Sequence, residues 1–208
     1  MKLYYAPGTC SLSPHIVAEE AGISLDLERV DILKSPHVTE AGVDFASVNP
    51  GGYVPVLVLD DGTPLTEGAA IVQYLADLAP EAGLAPPTGT VDRTRFQAWI
   101  NFVATELHKA YSPWLFHPEV GEQAQSYARE KTDERLAFLD AHLGAKRPYL
   151  MGERFTAADA YLFTILGWSA FTKVDLSPFP NLRAFMDRVG ARPKVRAAMQ
   201  AERVRRAA

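Results

Sequence analysis

Residues 1–32 read MKLYYAPGTCSLSPHIVAEEAGISLDLERVDI, and this stretch predicts a strand, a helix and a second strand. The strand-like run Leu3-Tyr4-Tyr5 comes first. The stretch from Ser11 to Ala21 then has the apolar spacing of a helix, and Gly22 is placed to end it. Leu27 to Ile32 is the next strand-like run, and it arrives soon enough to complete a β-α-β unit.

The following segment predicts a hairpin and another helix. Val56–Leu59 and Thr63–Leu65 flank Asp60-Asp61-Gly62, which has the composition of a tight hairpin turn. A helical pattern runs from about Glu67 to Leu78. The order is therefore β-α-β, an irregular stretch, and then β-β-α, which predicts a thioredoxin-like α/β domain.

The second part of the chain predicts helices only. Residues 81–89, EAGLAPPTG, are rich in proline and glycine and indicate a linker. The Thr156-Ala157-Ala158-Asp159 stretch resembles a capping box at a helix start. The helical patterns are Asp92–Phe116, Glu122–Leu143, Ala157–Phe171, Asn181–Val189 and Lys194 to about Arg203. We therefore expect an α/β plus all-α protein with a thioredoxin-like domain at 1–80, a linker at 81–89 and a helical domain at 90–208.

Composition and charge exclude several classes of function. The chain has 208 residues, of which 48% are apolar, and no run near the roughly 18 apolar residues of a membrane span, so we expect a cytoplasmic protein without a membrane partner. One cysteine argues against a disulfide scaffold and a structural zinc site.

Charge is unevenly distributed along the chain. Residues 1–80 carry 3 Lys and Arg against 11 Asp and Glu, whereas residues 81–208 carry 18 Lys and Arg against 14 Asp and Glu. The late basic residues lack interleaved aromatic residues, which favours a solvated helix end over a nucleic-acid site. They are Arg192, Lys194, Arg196, Arg203, Arg205 and Arg206.

Cys10 is the only cysteine, and it precedes the first predicted helix. The unpaired N–H groups and the positive end of a helix dipole favour an anion there, which can lower the pKa of a cysteine below about 8.5. Because the chain has no second cysteine, redox or nucleophilic chemistry at Cys10 needs a thiol from outside. The alternative is that Cys10 is a small buried apolar residue. Ser11 is either the helix cap or a donor to a neighbouring thiolate, and the sequence does not separate these roles.

Two further motifs of the first domain could bind a peptide-like ligand. A proline at the mouth of a strand, as in Val54-Pro55, is either a plain strand start or a cis turn. In a cis turn the Val54 N–H and C=O would face outward and could pair with an extended peptide. At the start of the next helix, Glu67 is either a dipole partner or, together with the Gly68 N–H, a match for an amino-acid end carrying both an ammonium and a carboxylate.

A polar stripe is predicted on the first helix of the second domain. At about 100° per residue, Asn101, Thr105, His108 and Ser112 fall within roughly 60° of one another. The opposite side carries Phe96, Trp99, Val103, Leu107 and Ala110. Short hydrogen-bonding side chains are unusual on a solvated face, so the stripe is either a helix contact or one wall of a ligand cleft.

Taken together, these elements resemble the cytosolic glutathione transferases, and among them the bacterial beta class. The resemblance covers essentially the whole chain, and five motifs in series make it specific although each alone is weak. They are residues 1–14 (MKLYYAPGTCSLSP), 49–56 (NPGGYVPV), 65–77 (LTEGAAIVQYLAD), 99–113 (WINFVATELHKAYSP) and 155–163 (FTAADAYLF).

The resemblance implies a dimeric enzyme that binds glutathione as a co-substrate, with no separate cofactor and no metal. Cys10 would lie beside the glutathione sulfur and could form a mixed disulfide, with Ser11 nearby. Val54, next to Pro55, would pair with the cysteinyl backbone, and Glu67 with Gly68 would bind the γ-glutamyl end. The remaining implied residues are Asn101, Thr105 and His108 near the thiol or the partner subunit's ligand, and Lys34 at the glycyl carboxylate.

The activity expected from the resemblance is detoxification by conjugation of the glutathione thiolate to small hydrophobic electrophiles. Cys10 and His108 are the candidate catalytic residues, and Tyr5 is a competing candidate for which the first strand favours a core role. The electrophile pocket would be apolar, built from residues such as Trp114, Leu115, Phe116, Trp168 and Phe171. The alternatives are thiol-disulfide exchange or peroxide reduction through Cys10, a glutathione-dependent dehalogenase or isomerase, and non-catalytic binding of apolar ligands.

Overall fold

The computed structural model describes residues 1–144 and 146–206, which form two compact units. The N-terminal unit comprises Met1–Leu84 and the C-terminal residues from Arg192, and the helical unit comprises Ala85–Ala191. This grouping differs from the expected division at 1–80, 81–89 and 90–208 because the last helix joins the first unit. Of the expected helical domain, residues 145, 207 and 208 lie outside the described residues, as do the basic side chains expected at positions 203, 205 and 206.

The N-terminal unit is built on a five-stranded mixed sheet of order β3-β2-β1-β4-β5. The central strand β1 pairs in parallel with β2, so that Leu3 lies opposite Leu27, and the other pairs are antiparallel. The predicted β-α-β unit and the β4–β5 hairpin are confirmed. The two-residue strand β3 and the 3-10 turn at Phe45–Ser47 occupy the stretch expected to be irregular. The strands are β1 (Lys2–Tyr5), β2 (Asp26–Asp31), β3 (Val38–Thr39), β4 (Val56–Val58) and β5 (Pro64–Leu65).

Nine α-helices lie within the described residues. They are α1 (Leu12–Ala21), α2 (Gly68–Leu78), α3 (Val91–Asn101), α4 (His108–Tyr111), α5 (Glu122–His142), α6 (Ala157–Leu166), α7 (Ser169–Thr172), α8 (Pro180–Gly190) and α9 (Pro193–Arg206). Gly22 ends α1 in the left-handed conformation with φ 70°, as its position in the sequence predicts. None of the described helices is both long and apolar enough to cross a membrane.

Helix α9 belongs to the N-terminal unit because it packs on α1 and bonds to it at both ends. Val195 and Ala198 are fully buried. At the start of α9, Arg192 forms two hydrogen bonds of 2.7 Å with the carboxylate of Glu20. The charged residues near the C-terminus therefore include anchors of a packed helix, which a hydropathy pattern does not distinguish from a solvated tail.

The helical unit is organised around α6, whose ten residues are all buried. An all-round apolar helix of this kind lies in the middle of a helical domain. Asp159 confirms its half of the capping box by accepting a 2.8 Å hydrogen bond from the Thr156 N–H. Its other carboxylate oxygen accepts from the Leu150 N–H at 2.8 Å, so Asp159 also secures the loop that precedes α6.

Two of the expected long helices are interrupted. The helix expected at Asp92–Phe116 is regular to Asn101, continues as a π-helical segment over Phe102–Leu107, and ends after Tyr111. Pro113 explains the end, because it has no N–H and favours the extended backbone that Ser112 adopts. The helix expected at Ala157–Phe171 ends at Leu166, and a short helix, α7, follows.

Candidate functional site

The Cys10 thiol lies at the end of the loop between β1 and α1, partly exposed. Its Sγ donates a hydrogen bond to the Val54 C=O at 3.4 Å. Val54 lies two residues before β4, and the sheet places the two predicted motifs, Cys10 and Val54-Pro55, in contact. The thiol is therefore positioned beside backbone that is suited to bind an extended peptide.

Ser11 does not have the helix-capping role considered for it from the sequence. Its side chain forms no capping hydrogen bond with α1, and the residue is fully buried. Its hydroxyl instead contacts the Ala6 N–H and C=O, each at 3.1 Å, and the Thr9 hydroxyl at 2.8 Å. Ser11 therefore closes the loop of residues 6–11 and holds Cys10 through the backbone.

A buried carboxylate from α9 holds the same loop. Glu202 Oε2 accepts a 3.0 Å hydrogen bond from the Gly8 N–H, and Oε1 lies 3.2 Å from His15 Nδ1 on α1. Glu202 is 3% exposed and His15 is 4% exposed. A charge-assisted hydrogen bond in such surroundings is stronger than a neutral one. Sequence analysis missed Glu202, since no local pattern pairs residues at opposite ends of a chain.

The Val54–Pro55 peptide bond is cis, one of the two conformations considered for it. The Val54 N–H forms no hydrogen bond with any of the described residues. The preceding loop is held by His37, whose Nδ1 lies 3.0 Å from the Gly52 C=O, and by Asn49, whose side-chain amide donates to the Tyr53 C=O at 2.8 Å. His37 is a second residue that sequence analysis missed, because its partner is a backbone carbonyl 15 residues away.

Glu67 and Gly68 lie next to Pro55. A Cβ built on Gly68 would lie 3.5 Å from Pro55 Cγ, an ordinary van der Waals distance, so the start of α2 is next to the Val54-Pro55 turn. Glu67 is exposed and has φ 64°, which is uncommon for a residue other than glycine. No side chain caps α2, so its first N–H groups are available for an anion.

Lys34 is paired with Asp31, and Tyr5 lies in the core. Lys34 Nζ lies 3.4 Å from Asp31 Oδ2 with 66% of the side chain exposed, and no hydrogen bond or ion pair described for it involves Cys10, Val54 or Glu67. Tyr5 is fully buried, which confirms the core role favoured by its place in β1.

In the helical unit, His108 is held by aromatic neighbours. Its Nδ1 lies 2.8 Å from the Tyr161 hydroxyl, and its ring meets Trp168 edge-on at 4.9 Å between centroids. Burial, with a smaller contribution from the charge of Lys109, lowers the pKa of His108 to about 4. His108 is therefore neutral at pH 7. Tyr161 is a further residue that sequence analysis missed, since its phenol looks like part of the apolar run of α6.

The predicted polar stripe is only partly formed. Asn101 and Thr105 are exposed, and the Thr105 hydroxyl donates to the Asn101 C=O of its own helix at 2.9 Å. The predicted stripe assumes about 100° per residue, the rotation of a regular α-helix. The π-helical segment has a wider turn, in which the His108 N–H bonds to the Val103 C=O five residues back. Asn101 is consequently exposed while His108 is partly buried. π-Helical segments of this kind often occur at functional sites.

Two of the predicted electrophile-binding residues, Trp168 and Phe116, are in contact. Their rings meet edge-on at 5.3 Å between centroids. Trp168 is 6% exposed and Phe116 40% exposed, so the buried ring that contacts His108 also contacts an accessible ring. Leu115 is 7% exposed, whereas Trp114 and Phe171 are largely exposed, at 43% and 66%.

Comparison with known proteins gives a consistent result along the chain. Residues 8–78 match the family model of the glutathione S-transferase N-terminal domain, and residues 102–193 match that of the C-terminal domain. The glutathione S-transferase GstA of Escherichia coli O157:H7 is 44% identical over 202 residues, which is 97% of this chain and 98% of the relative.

Solved structures agree with the sequence matches. A sphingomonad glutathione S-transferase complexed with glutathione is 43% identical, with a TM-score of 0.91 over 97% of this chain and 98% of the other. A bacterial beta class glutathione S-transferase of Sphingomonas chungbukensis is 44% identical, with the same TM-score and the same two coverages.

Proposed function

The chain belongs to the glutathione S-transferase family, in its bacterial beta class, and from that membership we propose that it joins the thiolate of glutathione to small hydrophobic electrophiles. The observation that carries the proposal is the 3.4 Å contact between the Cys10 thiol and the Val54 C=O. It supports a site in which a peptide thiol is held beside Cys10. The similar sphingomonad enzyme is itself complexed with glutathione.

The γ-glutamyl end of glutathione is assigned to Glu67 and Gly68. The α-ammonium of the ligand pairs with the exposed carboxylate of Glu67, and its α-carboxylate accepts from the uncapped N–H groups at the start of α2. Both partners come from adjacent residues of one backbone turn. This arrangement recognises the zwitterionic amino-acid end and rejects a plain carboxylate or amine.

The cysteinyl part is assigned to Val54. Its N–H has no partner among the described residues and can donate to the cysteinyl C=O of glutathione. Its C=O, which accepts from the Cys10 thiol in the structure, would accept the cysteinyl N–H instead. Binding therefore frees the Cys10 Sγ from Val54 at the moment when the ligand sulfur arrives beside it.

The other predicted glutathione contacts involve Lys34, the exposed face of the helical unit, and Ser11. Lys34 is accessible for the glycyl carboxylate, although it would have to leave Asp31. Asn101 and Thr105 are exposed on the helical unit, and the Thr105 hydroxyl is already used within the helix. Ser11 acts indirectly, by closing the loop that presents Cys10.

The proposed reaction is a nucleophilic substitution or addition at an electrophilic carbon. The glutathione thiol releases its proton to solvent and its sulfur forms a C–S bond. In a substitution the leaving group departs with its bonding electrons, and in an addition the π electron pair of the electrophile takes up a proton from solvent. Binding the two reactants together supplies much of the acceleration, and hydrogen-bond donors stabilise the thiolate. From the family resemblance we assign His108 a hydrogen-bond donor role in this reaction, and the Trp168 and Phe116 rings offer an apolar surface for the electrophile.

A second candidate activity is thiol-disulfide exchange at Cys10, which the partial exposure of this thiol favours. The Cys10 thiolate attacks a disulfide between glutathione and a substrate thiol, forms a mixed disulfide with glutathione and releases the substrate thiolate. A second glutathione thiolate then attacks that mixed disulfide and leaves as oxidised glutathione. One free glutathione supplies the reducing equivalents and the other half of oxidised glutathione comes from the substrate disulfide, so no second protein cysteine is needed.

Family membership also leads us to propose a homodimer, a cytoplasmic location and a role in detoxification. Light scattering on the purified protein measures the first directly. A mass of twice 22.8 kDa is expected.

The activity is tested by two assays on the same preparations. Wild type and the Cys10→Ala and Cys10→Ser variants are compared for conjugation of glutathione to chlorodinitrobenzene and for reduction of a glutathione mixed disulfide. We expect wild type to conjugate, and the variants to lose disulfide reduction while they retain measurable conjugation. A wild-type protein without conjugating activity would contradict the transferase proposal, and equal losses in both assays would make Cys10 essential to both reactions.

A further inference from the structure

A partly buried and a buried polar group face each other in the helical unit. His108 begins α4, directly after the π-helical segment, and Tyr161 lies within the buried helix α6. The Tyr161 hydroxyl lies 2.8 Å from His108 Nδ1, and the residue is 3% exposed. A hydrogen bond of this length in partly buried surroundings restricts both side chains.

The direction of this hydrogen bond follows from the protonation state of the imidazole. Burial keeps His108 neutral at pH 7, so only one of its two ring nitrogens carries a proton. A phenol is a more acidic donor than a neutral imidazole N–H, so the stronger arrangement has the Tyr161 O–H donating to Nδ1. The proton of His108 is then on Nε2.

Aromatic contacts fix the plane of the same imidazole. The His108 ring meets Trp168 at an interplanar angle of 81° and Tyr161 at 87°, with centroids 4.9 Å and 6.0 Å apart. Rotation of the imidazole would break the hydrogen bond to Tyr161 and both edge-on contacts. The direction in which Nε2 points is therefore set by groups that do not themselves need to touch a substrate.

We propose that Tyr161 is a positioning residue that holds His108 in the tautomer protonated at Nε2, so that His108 serves the transferase reaction as a hydrogen-bond donor and not as a base. The inference rests on the proposed function for the reaction it serves. In this role no proton is transferred through His108. Its N–H stabilises negative charge that develops in the reaction, and the thiol proton passes to solvent.

The test compares Tyr161→Phe with wild type and with Tyr111→Phe as the matched control. Tyr111 is another buried tyrosine of the helical unit, and its hydroxyl forms a 2.7 Å hydrogen bond with Ser169 and none with His108. Nitrogen NMR of protein labelled in histidine reports the tautomer, and the His108→Gln spectrum assigns the signal. Conjugation kinetics are measured on the same samples.

We expect wild type and Tyr111→Phe to show His108 with a protonated Nε2 and an unprotonated Nδ1. Tyr161→Phe should show a mixture of tautomers and a kcat about fivefold lower, the loss expected for one neutral hydrogen bond, with the KM for glutathione changed less than twofold. The double variant with His108→Gln and Tyr161→Phe should have the same kcat as His108→Gln alone, because Tyr161 acts only through His108.

A wild-type His108 protonated at Nδ1 would overturn the inference, as would a Tyr161→Phe protein with the wild-type tautomer and kcat. The tautomer is read without any substrate, so it separates this inference from the proposed function. A protein that lacks conjugating activity but shows the Nε2–H tautomer would reject the function and support the positioning.

Discussion

Glu202 Oε2 accepts a hydrogen bond from the Gly8 N–H at 3.0 Å, across 194 positions of the chain. The same carboxylate lies 3.2 Å from His15 on α1. The loop that presents Cys10 is thus held by the last helix of the chain as well as by Ser11. Changes at the C-terminus should therefore affect both stability and ligand binding.

Glu202→Gln should lower the free energy of unfolding by about 1–3 kcal/mol, because an amide keeps one acceptor oxygen and turns a donor toward the other partner. Affinity for glutathione should fall severalfold as the Cys10 loop loosens. Urea unfolding and calorimetric titration measure the two effects.

Glu20→Gln is the matched control, since its pair with Arg192 also joins α1 to α9 without touching the loop. It should cost a similar amount, about 1–3 kcal/mol, because a charged hydrogen-bonded pair is weakened, but leave affinity unchanged. Equal affinities in Glu202→Gln and Glu20→Gln would contradict the coupling.

Glu67 combines a ligand contact with an unfavourable backbone conformation, and substitutions can separate the two. Glu67→Gln removes only the charge and should weaken glutathione binding by about tenfold to a hundredfold, the range for a hydrogen bond to a charged group. Glu67→Gly and Glu67→Ala both remove the carboxylate, but only glycine accepts φ 64° without strain. The glycine variant should therefore be more stable than the alanine variant by about 1 kcal/mol in thermal or urea unfolding. Wild-type affinity in Glu67→Gln would exclude the proposed ammonium contact.

His108 should make the protein less stable in mild acid. Its folded pKa, lowered to about 4 by burial, lies below the ordinary value of 6.5, so between these values the unfolded chain binds a proton that the folded protein does not. The free energy of unfolding should thus fall as the pH drops from about 6.5 to 4. Urea unfolding at pH 7.5 and 5 should show a loss in wild type that is smaller by about 1–2 kcal/mol in His108→Gln. An identical loss in both proteins would show that His108 titrates normally.

The neutral state of His108 also shapes the pH dependence of activity. The logarithm of kcat for conjugation should show no step near pH 6.5 attributable to His108, because the imidazole stays neutral down to about pH 4. Stopped-flow measurement between pH 5 and 8 on wild type and His108→Gln provides the comparison. A step present in wild type and absent from the variant would assign the titration to His108 and contradict this expectation.

Asp159 should be a stability residue only. Its two carboxylate oxygens accept from the N–H groups of Leu150 and Thr156, so Asp159→Asn would place an amide donor against one of these donors. The free energy of unfolding should fall by about 2–4 kcal/mol. Asp175→Asn, which changes an exposed carboxylate bonded to Ser177, should have a much smaller effect. Conjugating activity per folded molecule should match wild type in both variants, and a reduced kcat in folded Asp159→Asn would contradict a purely structural role.

The sequence predicts the elements around Cys10 and Val54 well because their signals are local. The turn and helix start around Cys10 and the Val54-Pro55 strand mouth each lie within a few residues, and the sheet order then brings them into contact. Ser11 shows the limit of such signals. A serine before a helix predicts a cap, but the hydroxyl bonds to Ala6 instead, in a loop whose closure depends on tertiary packing.

What the sequence could not predict depends on long-range contacts or on a change of helix type. Glu202 is part of a basic, helical C-terminus, and only the packing of α9 on α1 brings it to Gly8. The polar stripe was extrapolated through Phe102–Leu107 at one angular increment, which the π-helical segment invalidates. Tyr161 sits in an apolar run, where its hydroxyl is recognisable only once His108 is placed beside it.

The central claim is that the N-terminal unit binds glutathione with its sulfur beside Cys10. Its most direct test is the Tm of the whole protein with and without glutathione, for wild type and Glu67→Gln. At a hundredfold excess over the Kd, linkage predicts about 2.7 kcal/mol of stabilisation, or a rise of about 5–10 °C in wild type, and a clearly smaller rise in the variant at the same concentration. A wild-type Tm unchanged by millimolar glutathione would contradict the account.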